Sequence, residues 1–119
     1  MAQMQKKTLG TPDETRTFDK GQLQLVTLGG LTFGRATFQP GWKWSTSEKS
    51  IAKTASCQAP HLLFQISGRL HVVMDDGSEM EFGAGDVGQI PPGHDAWVVG
   101  REPVVVVDIS GMGDYAKPK

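Results

Sequence analysis

Short runs in which apolar and polar residues alternate, or in which a few apolar residues stand together, recur along the chain between turn-forming residues. They run from Thr15 to Phe18, Leu23 to Leu28, Leu31 to Phe38, Leu62 to Ile66, Leu70 to Met74, Glu79 to Phe82, Val87 to Ile90, Ala96 to Val99 and Val104 to Ile109. Successive side chains on a strand point to opposite faces, so each run predicts a strand with one buried side. Asp75-Asp76-Gly77 predicts a tight hairpin, because Asp-Gly accepts the positive φ that primed turns demand, and Gly29-Gly30 predicts another. No segment repeats apolar residues at helical spacing over three turns, and no internal repeat interrupts the pattern. Many short strands at close intervals predict an all-β barrel or sandwich, and fifteen glycines with seven prolines agree with so many turns.

The 119 residues suit one domain. Residues 1–13 read as a polar N-terminal arm, 14–110 as the barrel and 111–119 as a peripheral tail. The stretch from Trp42 to Ala59 is the least regular and the longest between strands, which predicts a lid over one barrel mouth. A formal net charge of -1 and a pI near 6.3 provide no broad basic field, so neither nucleic acid nor an anionic membrane is the expected partner. A small molecule or another protein is. No stretch approaches the apolar length of a membrane span, and no apolar region follows Lys6 and Lys7 as it would in an export signal. The lone Cys57 has no internal disulfide partner, and the expected location is cytoplasmic.

Two stretches carry a resemblance. Gly85-Asp86-Val87-Gly88-Gln89-Ile90-Pro91-Pro92-Gly93 resembles the second cupin motif, a glycine, five residues and then Pro-x-Gly, in both residues and spacing. His61 to Leu70, with Gly68, resembles the end of the first. The resemblance implies a single cupin domain, a double-stranded β-helix or jelly-roll barrel surrounding a pocket, for which a homodimer is the default assembly. Cupins commonly hold a metal with three histidines and a glutamate. Counted from Gly68, those places hold Ala55, Cys57 and His61, and counted from Gly93 the last one holds Ala96. The usual ligand set is absent. The chain is similar to a group of small cupins that share Cys-x-x-x-His and Pro-Pro-Gly-His-Asp-Ala-Trp.

A substituted set remains. If Cys57 to Ser67 is extended, Cys57, His61, Leu63 and Gln65 share the inward face, and His94 lies two residues before Ala96 on the face where the family places its last ligand. A thiolate and two imidazoles suit one divalent transition metal, zinc first, with iron, copper and nickel also compatible, and Gln65 or a water would fill a fourth place. The alternative is a metal-free polar pocket in which Cys57 is a small buried hydrophobe and the histidines are hydrogen-bonded. Trp42 and Trp44, two apart on an extended segment, would wall a ligand pocket or a subunit contact. Arg35 is a candidate clamp for a ligand carboxylate, against a plain surface role. Asp95, next to His94, is a candidate pocket residue, against a turn-capping role. His71 is expected on an outer face, and Trp97, of parity opposite to His94 and Ala96, packed between sheets or subunits. Two functions stay open: a metal-dependent protein acting on a small polar organic molecule, and a metal-free binding or sensing barrel.

Overall fold

The computed structural model of the chain describes residues 3–110, 112–113 and 115–117. The outermost residues of the expected arm and four positions of the expected tail lie outside that range.

The nine predicted strands all form, within one or two residues of their predicted ends: β1 (Glu14–Phe18), β2 (Gly21–Leu28), β3 (Leu31–Phe38), β4 (His61–Ser67), β5 (Arg69–Met74), β6 (Glu79–Phe82), β7 (Val87–Ile90), β8 (His94–Val99) and β9 (Val104–Asp108). They build a six-stranded sheet in the order β1-β2-β3-β9-β4-β7 and a three-stranded sheet in the order β6-β5-β8, with antiparallel pairing throughout. The alternation read from the sequence is the alternation that packs. His61, Leu63 and Gln65 of β4 are buried and Leu62 and Phe64 exposed; Val104 and Val106 of β9 are buried among Leu23, Ala36, Phe38, Leu70 and Val72.

Two glycines are required by position. Gly68, between β4 and β5, has φ 77°, and a Cβ there would sit 2.6 Å from the Pro103 carbonyl oxygen. Gly93, at the turn into β8, has φ 93° and would place a Cβ 2.8 Å from the Asp75 carboxylate. Any side chain at either place meets both a disfavoured backbone and a neighbour.

Two expectations need correction. Trp42 and Trp44 do not share an extended segment: Trp44 opens α1 (Trp44–Ser47), and α2 (Lys49–Ala52) follows, each a single helical turn too short to register as a periodic pattern. The C-terminal segment is not peripheral either. Met112 and Tyr115 are buried in the core, and Arg16 holds this stretch by donating to the Met112, Gly113 and Tyr115 carbonyls. Met112 lies against the bare Cα of Gly34, where a Cβ would come within 2.9 Å of its side chain.

Candidate metal centre

β4 and β8 belong to different sheets, and their inward faces bring His61 and His94 together with ring centres 5.2 Å apart. Cys57 reaches them from outside any strand. It forms an isolated bridge with His94, its N–H donating to the His94 carbonyl at 2.7 Å while its own carbonyl accepts from Gly93 and His94. The extended run assumed from Cys57 onward therefore begins only at His61, yet the Cys57 Sγ still lies 4.0 Å from His61 Nε2. One ligand atom each from Cys57, His61 and His94 lies within 4.8 Å of the others, and all three residues are buried.

Both imidazoles are oriented from behind. His61 Nδ1 is 2.6 Å from Asp108 Oδ2, a carboxylate fully buried at the end of β9. With that acceptor, Nδ1 carries the hydrogen and Nε2 is the ring nitrogen that faces Cys57. Asp108 is itself fixed, its other oxygen accepting from the backbone of Leu62 and Ser110. His94 Nδ1 donates to the Pro91 carbonyl at 2.8 Å. Burial, opposed by that carbonyl and reinforced by the neighbouring His61, lowers the His94 pKa to about 4, so its ring is neutral at physiological pH. Burial pushes the Cys57 thiol up to about 12, with Glu48 and Asp95 adding to the rise. On its own this thiol stays protonated; a nearby cation would reverse that.

These donors fit a transition metal. Ligands of a tetrahedral zinc ion lie about 2.0–2.3 Å from it and hence about 3.5 Å from one another, so shifts of an ångström or less would close the site. Beside the donors is a cavity of about 30 Å³, walled mainly by Phe38, Trp42, Trp44 and Met112 and bounded by both histidines. A water needs roughly 10–15 Å³ on this measure, so the space admits an ion with a water or two, and a larger ligand requires the wall to move.

Trp42 and Trp44 of that wall come from the Trp42–Ala59 connection, which is anchored at several points. The Asp95 Oδ1 accepts from the Ser45 N–H, and Ser47 Oγ donates to Asp19. At its centre, Glu48 is 1% exposed, and its Oε2 accepts from Trp42 Nε1 at 2.9 Å and from the Tyr115 hydroxyl at 2.7 Å. Its Oε1 is buried without a partner. Burial raises the Glu48 pKa to about 7 against the pull of those two donors. The Tyr115 ring stands edge-on to His61, with centres 5.5 Å apart, which links the loop, the C-terminal segment and the donor cluster.

Three of the residues expected at a pocket lie elsewhere. Gln65 has the right parity but sits four residues beyond His61, ~13 Å along the strand. Its amide nitrogen donates to the Gly68 and Phe82 carbonyls, stitching the far end of the barrel. Arg35 projects outward between the inward Gly34 and Ala36 and donates to Gln24 and the Leu9 carbonyl. Asp95 also points away from the cavity, toward the Ser45 and Ala96 N–H groups. Trp42 and Trp44 do line the cavity, the second from a helical turn rather than an extended segment. His71 and Trp97 stack on the outer face of β5 and β8 with ring centres 4.7 Å apart.

Asp108, Glu48 and Tyr115 were not read from the sequence as site residues. Asp108 had a visible signal, because it occupies the inward parity of Val104 and Val106. A carboxylate at such a position needs a partner. Glu48 and Tyr115 had none, being 67 residues apart.

The molecule is thus a nine-stranded jelly-roll barrel with a buried Cys-His-His cluster near one covered mouth, and it has the cupin fold. A protein of unknown function (DUF1255) from Acidithiobacillus ferrooxidans superposes with a TM-score of 0.60 at 20% identity over 83% of this chain and 88% of its own. The Lactobacillus farciminis oxalate decarboxylase formate complex matches at 0.60 and 18% identity over 86% of this chain, which spans 32% of that longer protein. KdgF from Halomonas sp. matches at 0.55 and 16% identity over 78% of this chain and 80% of its own. No protein-family profile and no curated protein matches the sequence. Among the described residues, no helix is long and apolar enough to cross a membrane.

Proposed function

We propose that this is a metal-holding cupin in which Cys57, His61 and His94 bind one divalent transition metal, zinc in preference to iron, copper or nickel, beside a pocket for a small organic molecule. The observation that carries the reading is the convergence of the three donor atoms within 4.8 Å, with each imidazole held from its far nitrogen. Second-side hydrogen bonds of this kind orient metal-ligating histidines and raise their basicity. When bound, such an ion supplies Lewis acidity, polarising a carbonyl or acidifying a water. The chain's own residues do the rest. Asp108 holds the His61 tautomer, the Pro91 carbonyl holds the His94 ring orientation while burial keeps that ring neutral, and Phe38, Trp42, Trp44 and Met112 exclude bulk water and present apolar contact to a ligand of few atoms.

Metal analysis of untagged protein, as purified and after equilibration with zinc, iron, copper and nickel, is expected to return one equivalent of one metal. Cys57→Ser and His61→Ala should lose it while keeping the β-sheet circular dichroism. Wild-type protein that stays metal-free under all four conditions would overturn the assignment.

A second reading, a metal-free binding or sensing barrel, is favoured by one observation. With the Cys57 thiol protonated and His94 neutral, neither group needs a cation to be buried. That reading predicts a thermal-shift ligand, recovered unchanged, that binds equally well in the presence of a chelator.

A further inference from the structure

A second space lies beside the donor cluster. It is an open groove of about 330 Å³ between β6 and β7, an edge strand of each sheet. β6 pairs with β5 alone and β7 with β4 alone, and the 83–86 turn joins them at one end. There Phe82 closes the gap by lying on the bare Cα of Gly88, where a Cβ would come within 2.5 Å of its ring. Away from that turn the groove is open, with Val72, Met74 and Met80 on one wall and Ile90 and Pro91 on the other.

The groove and the small chamber at the donors are neighbours. Three cross-strand pairs put one member on each: Ile90 stands opposite His61, Met74 opposite His94 and Val72 opposite Ala96. The first of each pair lines the groove and the second lines the chamber, while Ile90, 4% exposed, lines both. Residues paired in this way are about 5 Å apart at Cα, so the partition is one layer of side chains thick. Pockets for small organic ligands ordinarily span about 300–1,000 Å³. The chamber of about 30 Å³ falls far short of that, and the groove reaches it.

The walls are apolar and adaptable, since methionine side chains repack around a ligand and make favourable contacts with aromatic rings. The charge sits at the rim. Asp76 Oδ1 accepts from the Ser78 N–H and hydroxyl, which hold the carboxyl below its usual range and leave it ionised at neutral pH. Glu79 is engaged by His71 at 2.7 Å on the outer face. Among the described residues, no lysine, arginine or histidine lines the groove. An anion would therefore meet a carboxylate and no cation, whereas a protonated amine would meet its complement.

We propose that the groove between β6 and β7 seats a small organic amine, with its apolar body between Met80 and Ile90 and its ammonium group at Asp76. This rests on the reading of a pocket for a small organic molecule, and it gives that molecule a place and a charge. The groove holds the body, and only the few atoms that pass Ile90 reach the donors. Binding in the groove does not require the metal.

The probe is phenethylamine, with phenylacetate as the matched anion. Each is titrated at low salt into isotope-labelled full chain and followed by amide chemical shifts, once with chelator and once after equilibration with zinc. The amine is expected to shift the amides of β6, β7 and Met74 in both samples and to bind about tenfold more tightly than the anion. Met80→Lys, at a side chain 63% exposed, should fold as wild type does and lose the amine. Asp76→Asn should bring amine and anion to within about twofold of each other, and it decides if Met80→Lys fails to fold. Groove shifts in protein that takes up no zinc would uphold the groove while overturning the metal centre. Absence of shifts at the groove, equal affinity of the wild type for amine and anion, or folded Met80→Lys protein that binds the amine undiminished would overturn the proposal.

Discussion

The site is assembled from two kinds of chain, and they hold their residues by different means. His61, His94 and Asp108 stand on β4, β8 and β9, where ladder hydrogen bonds set their direction and local backbone or carboxylate contacts set their ring orientation. Trp42, Trp44, Glu48 and Cys57 come from the irregular connection, and Tyr115 from the C-terminal segment. Among the described residues this second half has no ladder beyond isolated bridges. Its position rests on side chains, above all on one buried carboxyl shared by Trp42 and Tyr115. A strand-borne site is rigid by construction, while a loop-borne wall is only as firm as the groups that tie it down. The half that holds the two histidines is therefore the stiffer one, and the half that carries Cys57 and closes the cavity is the one able to open.

The largest expected effect tests that tie. Glu48→Ala leaves the Trp42 N–H and the Tyr115 hydroxyl buried without an acceptor, at about 1–3 kcal/mol each. Denaturant unfolding should show a loss of about 4 kcal/mol, and proteolysis should cut first between Trp42 and Ala59. Protection of that segment equal to wild type would mean that the connection is held by something else.

Next in size is the pH dependence of the same carboxyl. Its pKa rises from the ordinary glutamate value of 4.5 to about 7 on folding, because burial disfavours the charge, with Tyr115 and the Cys57 thiol the titratable groups facing it. The native state therefore binds more protons than the unfolded state between those values. The contribution is complete below 4.5 and is lost as pH rises through about 7, an amount of about 3 kcal/mol. Glu48→Gln removes this titration, so the difference in stability between variant and wild type should change by that amount from pH 4 to pH 8. A difference that stays constant with pH would show that Glu48 titrates alike in both states.

The strand-borne half is probed by Asp108→Asn. This keeps an acceptor for the Leu62 and Ser110 N–H groups but removes the carboxylate that selects the His61 tautomer. Zinc affinity, measured by competition with a chromophoric chelator, should fall roughly 10–100-fold. An unchanged affinity would place the control of His61 outside this pair. The smallest effect belongs to Arg35→Ala on the outer face, expected to change stability by under about 1 kcal/mol and metal content not at all.

The strand half was largely legible before any coordinates. Period-two alternation is a local consequence of the pleat, so nine strands, their inward faces and the shared direction of His61 and Gln65 followed from neighbouring residues alone. Parity gives a direction but no depth. Gln65 shares His61's face and yet belongs to the other end of the barrel, while Arg35 and Asp95 were drawn toward the pocket by their chemistry and away from it by their parity. Asp108 shows the reverse, since its inward parity marked it and the fact that it ends a valine run hid it.

The sequence by itself determined the strands, their inward faces and the turns between them, because each is written in residues close together along the chain, and through the cupin resemblance it pointed to Cys57, His61 and His94 as candidate ligands. Only the tertiary structure decided that Asp108 backs His61, that Glu48 joins Trp42 to Tyr115, and that the supposed tail closes the core. The His61–Asp108 and Glu48–Tyr115 pairings span 47 and 67 residues, and Arg16 reaches across 96 and 99 to the Met112 and Tyr115 carbonyls. They arise because a buried polar group must find its partner wherever the packed chain happens to bring one, and no local periodicity records where that will be.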